Sequence, residues 1–440
     1  MELLVVALVV TFIIVATIRF KMHPVFSLTL AAVLAGFFLG LSSQDIMKHM
    51  AEGFGKTLSG IGLVIAFGTV IGIYLEKTGS TKVLANTILK LIGLKRSPLA
   101  LNLAGYVISI PVFCDSGFII LSSLNKALSK KSGIPIMVFA VALATGLYAA
   151  HVFVPPTPGP LAAAAILDAD LGMVLILGLV VSVPVALSGY LWARFIGKRL
   201  IQDRVISEEN DSNDDITPDI KPVNAFLPLI IPILLIALKS VANYPTLPLG
   251  NGQLFQVLDF LGAPIIALLI GVLFAFIMAR KIPREKQKKW VPEAFRQAGS
   301  IVLITGAGGA FGAILRTLDM ASIFDLSQTS GLGGILIAFS IAAVLKTAQG
   351  SSTVAIITTS AILAPLLEPF GLISISDKAL TVLAIGAGAM TVSHINDSYF
   401  WVVSQFSNMN VRTALKGHTL ATLFQGLTGI AIIVLLYYLL

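Results

Sequence analysis

Two stretches decide how this chain is read: SIPVFCDSGF at 109–118 and KTAQGSSTVAIITTS at 346–360. Both are polar and glycine-bearing, and both interrupt long apolar runs, at about 98–128 and 331–365. Backbone groups freed by such interruptions cannot face hydrocarbon, so they must line a cavity or pack within protein. The pattern predicts two re-entrant hairpins, each entering and leaving on one side, whose tips mark a transport site.

The rest of the chain suits that reading. It has 440 residues, 56% hydrophobic and only 12% charged, with mean hydropathy +0.94, which places it among polytopic membrane proteins. Further apolar runs at about 3–19, 24–41, 57–75, 134–150, 171–193, 223–239, 261–279, 298–315, 379–393 and 418–440 are spans or parts of spans. Since a crossing takes about 20 helical residues, roughly ten crossings are expected in one continuous bundle within the lipid bilayer. The segment 80–93 is shorter and mixed, as a helix lying along the interface would be. The run from Leu3 has no basic stretch before it and is followed by Arg19 and Lys21, so it reads as a retained first span.

Net charge +8 does not mean a nucleic-acid partner, because the Lys and Arg residues cluster in loops between apolar runs. Arg280, Lys281, Arg284, Lys286, Lys288, Lys289 and Arg296 crowd one loop, and Arg194, Lys198, Arg199 and Arg204 another. The positive-inside bias makes both loops cytoplasmic and both chain ends outward. The acidic stretch 208–219 reads as a solvated linker without chemistry.

A duplication is visible on laying residues 59–79 over 299–319, a shift of 299 − 59 = 240. Ile61 falls on Ile301, Leu63 on Leu303, Gly68 on Gly308, Gly72 on Gly312 and Leu75 on Leu315. The same shift carries Pro111 onto Ser351, so the polar stretches align too. The topology runs one copy inward and the other outward, which makes them inverted repeats. A second pair of breaks, AHVFVPPTPGP at 150–160 and SHINDSYFW at 393–401, sets His151 and His394 apart by 394 − 151 = 243. Pro155, Pro156, Pro158 and Pro160 prevent a continuous helical ladder at the first break, with Gly159 among them, and Asn396, Asp397 and Ser398 offer donors and acceptors at the second.

The expected fold is therefore an all-α polytopic membrane protein: two inverted repeats, roughly ten spans, two re-entrant hairpins and two broken helices. An N-terminal half, 1–200, holds the hairpin at about 98–128 and the broken helix at about 134–167. An acidic cytoplasmic linker, 201–222, joins it to a C-terminal half, 223–440, with the hairpin at about 331–365 and the broken helix at about 379–408.

An ionisable group at membrane depth costs roughly 3 kcal/mol or more, so Asp115 and Asp397 are the candidate proton carriers. For Asp115 the structural alternative is capping of the helix that follows, and for Asp397 it is a tie to a neighbouring helix. Ser116, Gly117, Gln349, Gly350, Ser351, Ser352 and Thr353 at the hairpin tips suit a carboxylate, because helix N-termini with hydroxyls and free N–H groups bind anions. The hydroxyls of Ser351, Ser352 and Thr353 could equally satisfy a tight turn. Thr157, His394 and Asn396 complete the substrate set, while His151 belongs with the prolines to the break itself. No acidic or cysteine cluster accompanies the histidines, and Cys114 is the single cysteine, so neither a metal nor a disulfide is expected. Lys346 is read as snorkelling to an interface, with pairing to substrate the alternative. Gly308 and Gly312, like Gly68 and Gly72, read as close helix packing and not as a dinucleotide fingerprint, since Phe311 occupies the last glycine position.

The aromatic–acidic–glycine hairpin (Phe113, Asp115, Gly117), the run Pro155-Pro156-Thr157-Pro158-Gly159-Pro160, the run Gly350-Ser351-Ser352-Thr353-Val354-Ala355 and the run Ser393-His394-Ile395-Asn396-Asp397 together resemble the gluconate permease family over nearly the whole chain. That resemblance implies a proton-coupled importer of gluconate and related hydroxy-acids in the bacterial inner membrane, an elevator-type fold and a homodimer. Two positions depart from the family pattern, Asp115 where relatives often carry Glu and Thr157 where they carry His. A channel is disfavoured because no recurring filter or ring of charges is present. An intramembrane hydrolase lacks a Gly-x-Ser-x-Gly elbow, and no phosphate-binding Gly-x-x-x-x-Gly-Lys-Ser/Thr run supports use of ATP or any other cofactor by this chain.

Overall fold

The computed structural model describes residues 19–199, 220–243, 252–317, 331–395 and 397–440, with scattered positions between 5 and 16. Part of the apolar run at 3–19, the acidic stretch 208–219, Arg204 and Asn396 lie outside the described residues. Every described element is helical. In the first half these are α1 (Pro24–Phe38), α2 (Ser43–Lys77), α3 (Ser80–Ile92), α4 (Ser97–Ile108), α5 (Cys114–Ser132), α6 (Ile136–Phe153), α7 (Pro158–Ile166) and α8 (Leu171–Arg199). The second half has α9 (Pro222–Ala242), α10 (Gln253–Leu261), α11 (Pro264–Met278), α12 (Trp290–Leu315), α13 (Leu332–Gln349), α14 (Ser352–Leu363), α15 (Ile375–Met390), α16 (Ser398–Phe406) and α17 (Leu420–Leu439). A π-helical turn, Leu415–Thr419, leads into α17.

Local chemistry sets these boundaries. Proline occupies the first turn of α1, α4, α7, α9 and α11, where its missing N–H costs nothing. Ser374 and Asp377 close a capping box at the start of α15. Gly133 and Gly350 end α5 and α13 at φ +73° and +84°, a conformation that a side chain would strain.

Among the described residues, seven helices are long and apolar enough to cross a membrane, or eight if Ser43–Lys77 counts as one span. Two of the expected crossings are shorter than that: α1 has 15 residues and α15 has 16. Such lengths reach only about 23–24 Å at 1.5 Å per residue, against a hydrocarbon core of ~30 Å. Helix starts recur along the chain at 375 − 136 = 239 and 398 − 158 = 240 residues, and a short helix Val411–Ala414 before the π-helical turn starts 411 − 171 = 240 residues after α8.

Small residues bring the helices together. A Cβ on Gly53 of α2 would lie 2.5 Å from the Gly309 carbonyl of α12, and one on Gly309 would lie 2.7 Å from the Gly53 carbonyl. The glycines picked out from sequence also pack closely: Gly68 faces Pro156, Gly72 faces the Pro111 carbonyl, Gly308 faces Ile357 and Ile166, and Gly312 faces Ala361. At the centre stands α6, buried continuously from Met137 to Phe153. Two buried amides hold it to its neighbours. Asn102 of α4 donates to the carbonyls of Ala142 and Ala186 at 2.8 and 3.1 Å, and Gln425 of α17 donates to those of Thr145 and Val185 at 2.9 and 3.1 Å. In a bundle where lipid removes the hydrophobic drive between helices, close backbone approach and such bonds specify which helices meet.

Candidate functional site

Four breaks interrupt the helices, at 109–113 between α4 and α5, at 154–157 between α6 and α7, at 350–351 between α13 and α14, and at 391–397 between α15 and α16. Tertiary packing brings their flanks together. The Phe113 and His151 rings lie 6.2 Å apart, joining the first and second breaks. Phe118 of α5 meets Tyr399 of α16 edge-on at 6.3 Å, and Tyr399 lies 5.3 Å from Tyr148 of α6. A Cβ on Gly159 would come within 2.8 Å of Ile356, so the proline run rests against α14.

Where α13 meets the break before α16 there is a buried ion pair. The Lys346 ammonium donates to Asp397 Oδ2 at 2.5 Å, with the lysine side chain 1% exposed and the aspartate 7%. This corrects the reading of Lys346 as an interfacial, snorkelling residue. The residue lies 346 − 332 = 14 positions into α13, about 21 Å along it. Its ammonium also donates to the Gly350 carbonyl, while the Gly350 N–H donates back to the Lys346 carbonyl at 2.8 Å, so the broken helix end holds its own lysine in place. The Tyr148 ring lies 5.9 Å from the ammonium.

Asp397 is fully engaged. Its Oδ2 also accepts from Ser393 Oγ at 2.5 Å, and its Oδ1 accepts from the Tyr399 N–H at 3.0 Å, which caps α16. Ser393 Oγ, having given its one proton to Asp397, can accept from His418 Nε2 at 3.1 Å. That places the ring proton on Nε2. The arrangement is not a hydrolase triad, since the carboxylate holds the serine and His418 Nδ1 has no hydrogen-bond partner.

Asp115 stands differently. It lies in the first turn of α5, whose N-terminus has no side-chain cap, and its Oδ1 is buried without a partner, so the capping alternative does not describe it. Its carboxyl is near enough to Asp397 and Lys346 to feel both charges. Other buried polar atoms without partners among the described residues include His151 Nδ1, Gln349 Nε2, Thr358 Oγ1 and Thr359 Oγ1. An unpaired buried polar atom is costly unless a ligand or water satisfies it, so these atoms are where a polar solute could bind.

The remaining candidates divide. Ser352 is buried within reach of the Tyr148 hydroxyl, and His394 Nε2 bonds the Thr347 carbonyl at 2.8 Å. Ser116 is hydrogen-bonded to the Glu76 side chain. Gly117 is packed on Leu147, and the Thr157 hydroxyl donates to the Val154 carbonyl at 2.5 Å, which leaves its oxygen free to accept. Ser351 is exposed and caps α14 through the Val354 N–H at 3.3 Å, and Thr353 is half-buried. Pro155 and Pro156 are joined by a cis peptide bond, and Pro158 is buried at the start of α7. Tyr148, Tyr399 and His418 were not singled out from sequence. For His418 a signal exists, an ionisable residue inside an apolar run. The two tyrosines have none.

The sequence pattern of the GntP family permeases matches residues 1–440. The chain belongs to this family. Among its relatives, the gluconate permease of Pseudomonas aeruginosa is 33% identical over 96% of this chain and 94% of its own length. The Gnt-II system L-idonate transporter of Escherichia coli is 31% identical over 98% of both chains, and the D-serine transporter DsdX of Escherichia coli is 30% identical over 96% of this chain and 95% of its own. Neisseria gonorrhoeae MtrF has a similar fold, with a TM-score of 0.64 at 14% identity over 88% of this chain and 83% of that one. This GntP-family chain is thus a multi-pass membrane permease and not an enzyme.

Proposed function

We propose that this permease imports gluconate or a related small hydroxy-monocarboxylate by proton symport, moving its site across the bilayer in an elevator-like manner. The observation that carries the reading is the buried meeting of Lys346, Asp397 and Asp115 where the helix breaks converge. Fixed polar groups beside broken helix ends are what a carboxylate with hydroxyls requires, and a buried carboxylate that a proton can neutralise is what coupling requires. The relatives named for gluconate, L-idonate and D-serine all act on solutes that carry one carboxylate. In this reading the substrate carboxylate lies by the tips at Gly117 and Gly350–Thr353, its hydroxyls meet Gln349, His394, Asn396 and Thr157, and the proton belongs to the pair Asp115 and Asp397. The two halves act as inverted repeats, the basic loops face the cytoplasm, both chain ends face the periplasm, and the working unit is a homodimer.

Pure protein in liposomes, given labelled gluconate under an inward pH gradient, is expected to accumulate it, and collapse of the gradient is expected to stop accumulation. Uptake that needs sodium and ignores the gradient would refute proton coupling. No uptake of any aldonate, with D-serine carried instead, would move the substrate to the amino-acid branch.

A further inference from the structure

We infer that Lys346 and Asp397 form an exchangeable ion pair: the substrate carboxylate replaces Asp397 on the Lys346 ammonium, and one proton neutralises the Asp397 that is released. The inference rests on the proposed carriage of a monocarboxylate and names the group that would recognise it.

Charge and geometry support the exchange together. Lys346 is a cation buried at the broken end of a helix, and among the described residues Asp397 alone cancels its charge at contact distance. Here the partner carboxylate hangs on the break 391–397, outside any helix, while unpartnered atoms of Asp115 and Gln349 lie on the helix ends that flank the neighbouring breaks. A second carboxylate arriving from those breaks would offer the ammonium an equivalent ligand. Moving the ammonium from one carboxylate to another costs far less than creating a new buried charge.

The proton follows from bookkeeping of charge. In the empty site Lys346 and Asp397 cancel. A substrate anion adds one negative charge, and a buried carboxylate stripped of its cation is more cheaply neutralised than kept charged. Asp397 has the means to accept: Oδ2 faces Lys346 and Ser393, and when the ammonium leaves, that oxygen can hold a proton. The other titratable groups facing the pair are Asp115 and Cys114 from α5, Tyr148 and His151 from α6, Tyr399 from α16 and His418 from the π-helical turn. None of these is bonded to Lys346 among the described contacts, so none is released when substrate binds. One carboxylate with one proton makes the loaded site as neutral as the empty one, and uptake driven by the pH gradient should ignore membrane potential.

The test uses the full-length protein in liposomes and nanodiscs, with gluconate and its uncharged analogue gluconamide. Wild-type affinity for gluconate should weaken about tenfold per pH unit on the alkaline limb, the slope of one linked proton. Asp397→Asn leaves Lys346 free, so gluconate should still bind and the slope should vanish. Lys346→Gln should weaken gluconate at least about tenfold relative to gluconamide, as loss of a charged partner implies. Because Lys346→Gln strands a buried carboxylate and could unfold, the neutral double variant Lys346→Gln/Asp397→Asn serves as the second probe, expected to lose both the preference for gluconate and the pH slope. A double variant that keeps either property, an Asp397→Asn protein with the full slope, or wild-type uptake that follows membrane potential overturns the exchange. A wild-type protein that carries gluconate while Lys346→Gln keeps its preference overturns the inference alone. Failure of the wild type to carry any monocarboxylate overturns the transport reading and the inference with it.

Discussion

Asp115 and Asp397 look equivalent as letters, an acid in each half near a helix break, yet the fold gives them opposite surroundings. Asp397 has a cation, a hydroxyl and a backbone N–H, whereas Asp115 Oδ1 has no partner. Substitution should therefore separate them. Asp115→Asn keeps the shape of the neutral acid, so gradient-driven uptake is expected to stay within about fivefold of wild type, the equivalent of ~1 kcal/mol for one neutral hydrogen bond. The measurement is gluconate accumulation beside gluconate exchange in the same liposomes. Exchange that survives while accumulation is lost would put the coupling proton on Asp115 instead of Asp397. At this scale the sequence showed which residues are expensive to bury, but not who pays for them. Lys346 sits among apolar neighbours that say nothing of an aspartate 397 − 346 = 51 residues away.

The elements are governed by where backbone may touch backbone. Gly72 is one such case: a Cβ there would lie 2.3 Å from the Pro111 carbonyl, so α2 is held directly on the first helix break. Gly72→Ala is expected to lower stability by about 1–3 kcal/mol through overpacking and to impair transport, read as a fall in unfolding temperature and in uptake rate. Gly55, in the same helix, has open space around its would-be Cβ. Gly55→Ala should raise helix stability by up to ~1 kcal/mol and leave transport intact. The glycine spacing Gly68-x-x-x-Gly72 was legible as a packing surface, because small residues four apart share a helix face. Its partner was not, since any helix or loop can fill such a groove. The breaks themselves were legible from prolines and polar residues inside apolar runs. The early end of α1 was not, because its apolar run continues to Leu41, past the point where Leu39 ends the helix.

For the whole molecule, loop charge and buried contacts together define sides and a centre. Lys286 is exposed in the basic loop between α11 and α12, and Glu368 is exposed in the loop between α14 and α15, which carries no Lys or Arg from 366 to 377. With the single native Cys114 buried, cysteines introduced at these two positions report sidedness cleanly. In intact bacteria an impermeant thiol reagent should label the Glu368→Cys protein and spare Lys286→Cys, which should react only after the membrane is opened. The reverse pattern would invert the topology. The halves meet through α2 and α12, whose glycines approach each other's carbonyls, and around α6, which touches both.

By itself the sequence determined the membrane setting, the helical class, the family and the places where helices break, because each depends on composition, local periodicity or a run of neighbouring residues. Only the tertiary structure decided that Lys346 neutralises Asp397, that Ser393 and His418 complete that network and that Asp115 Oδ1 is left without a partner. The physical reason is range. Hydropathy and helix breaking act over a few residues, while the energy of a buried charge is set by whichever groups the fold places within a few ångströms of it.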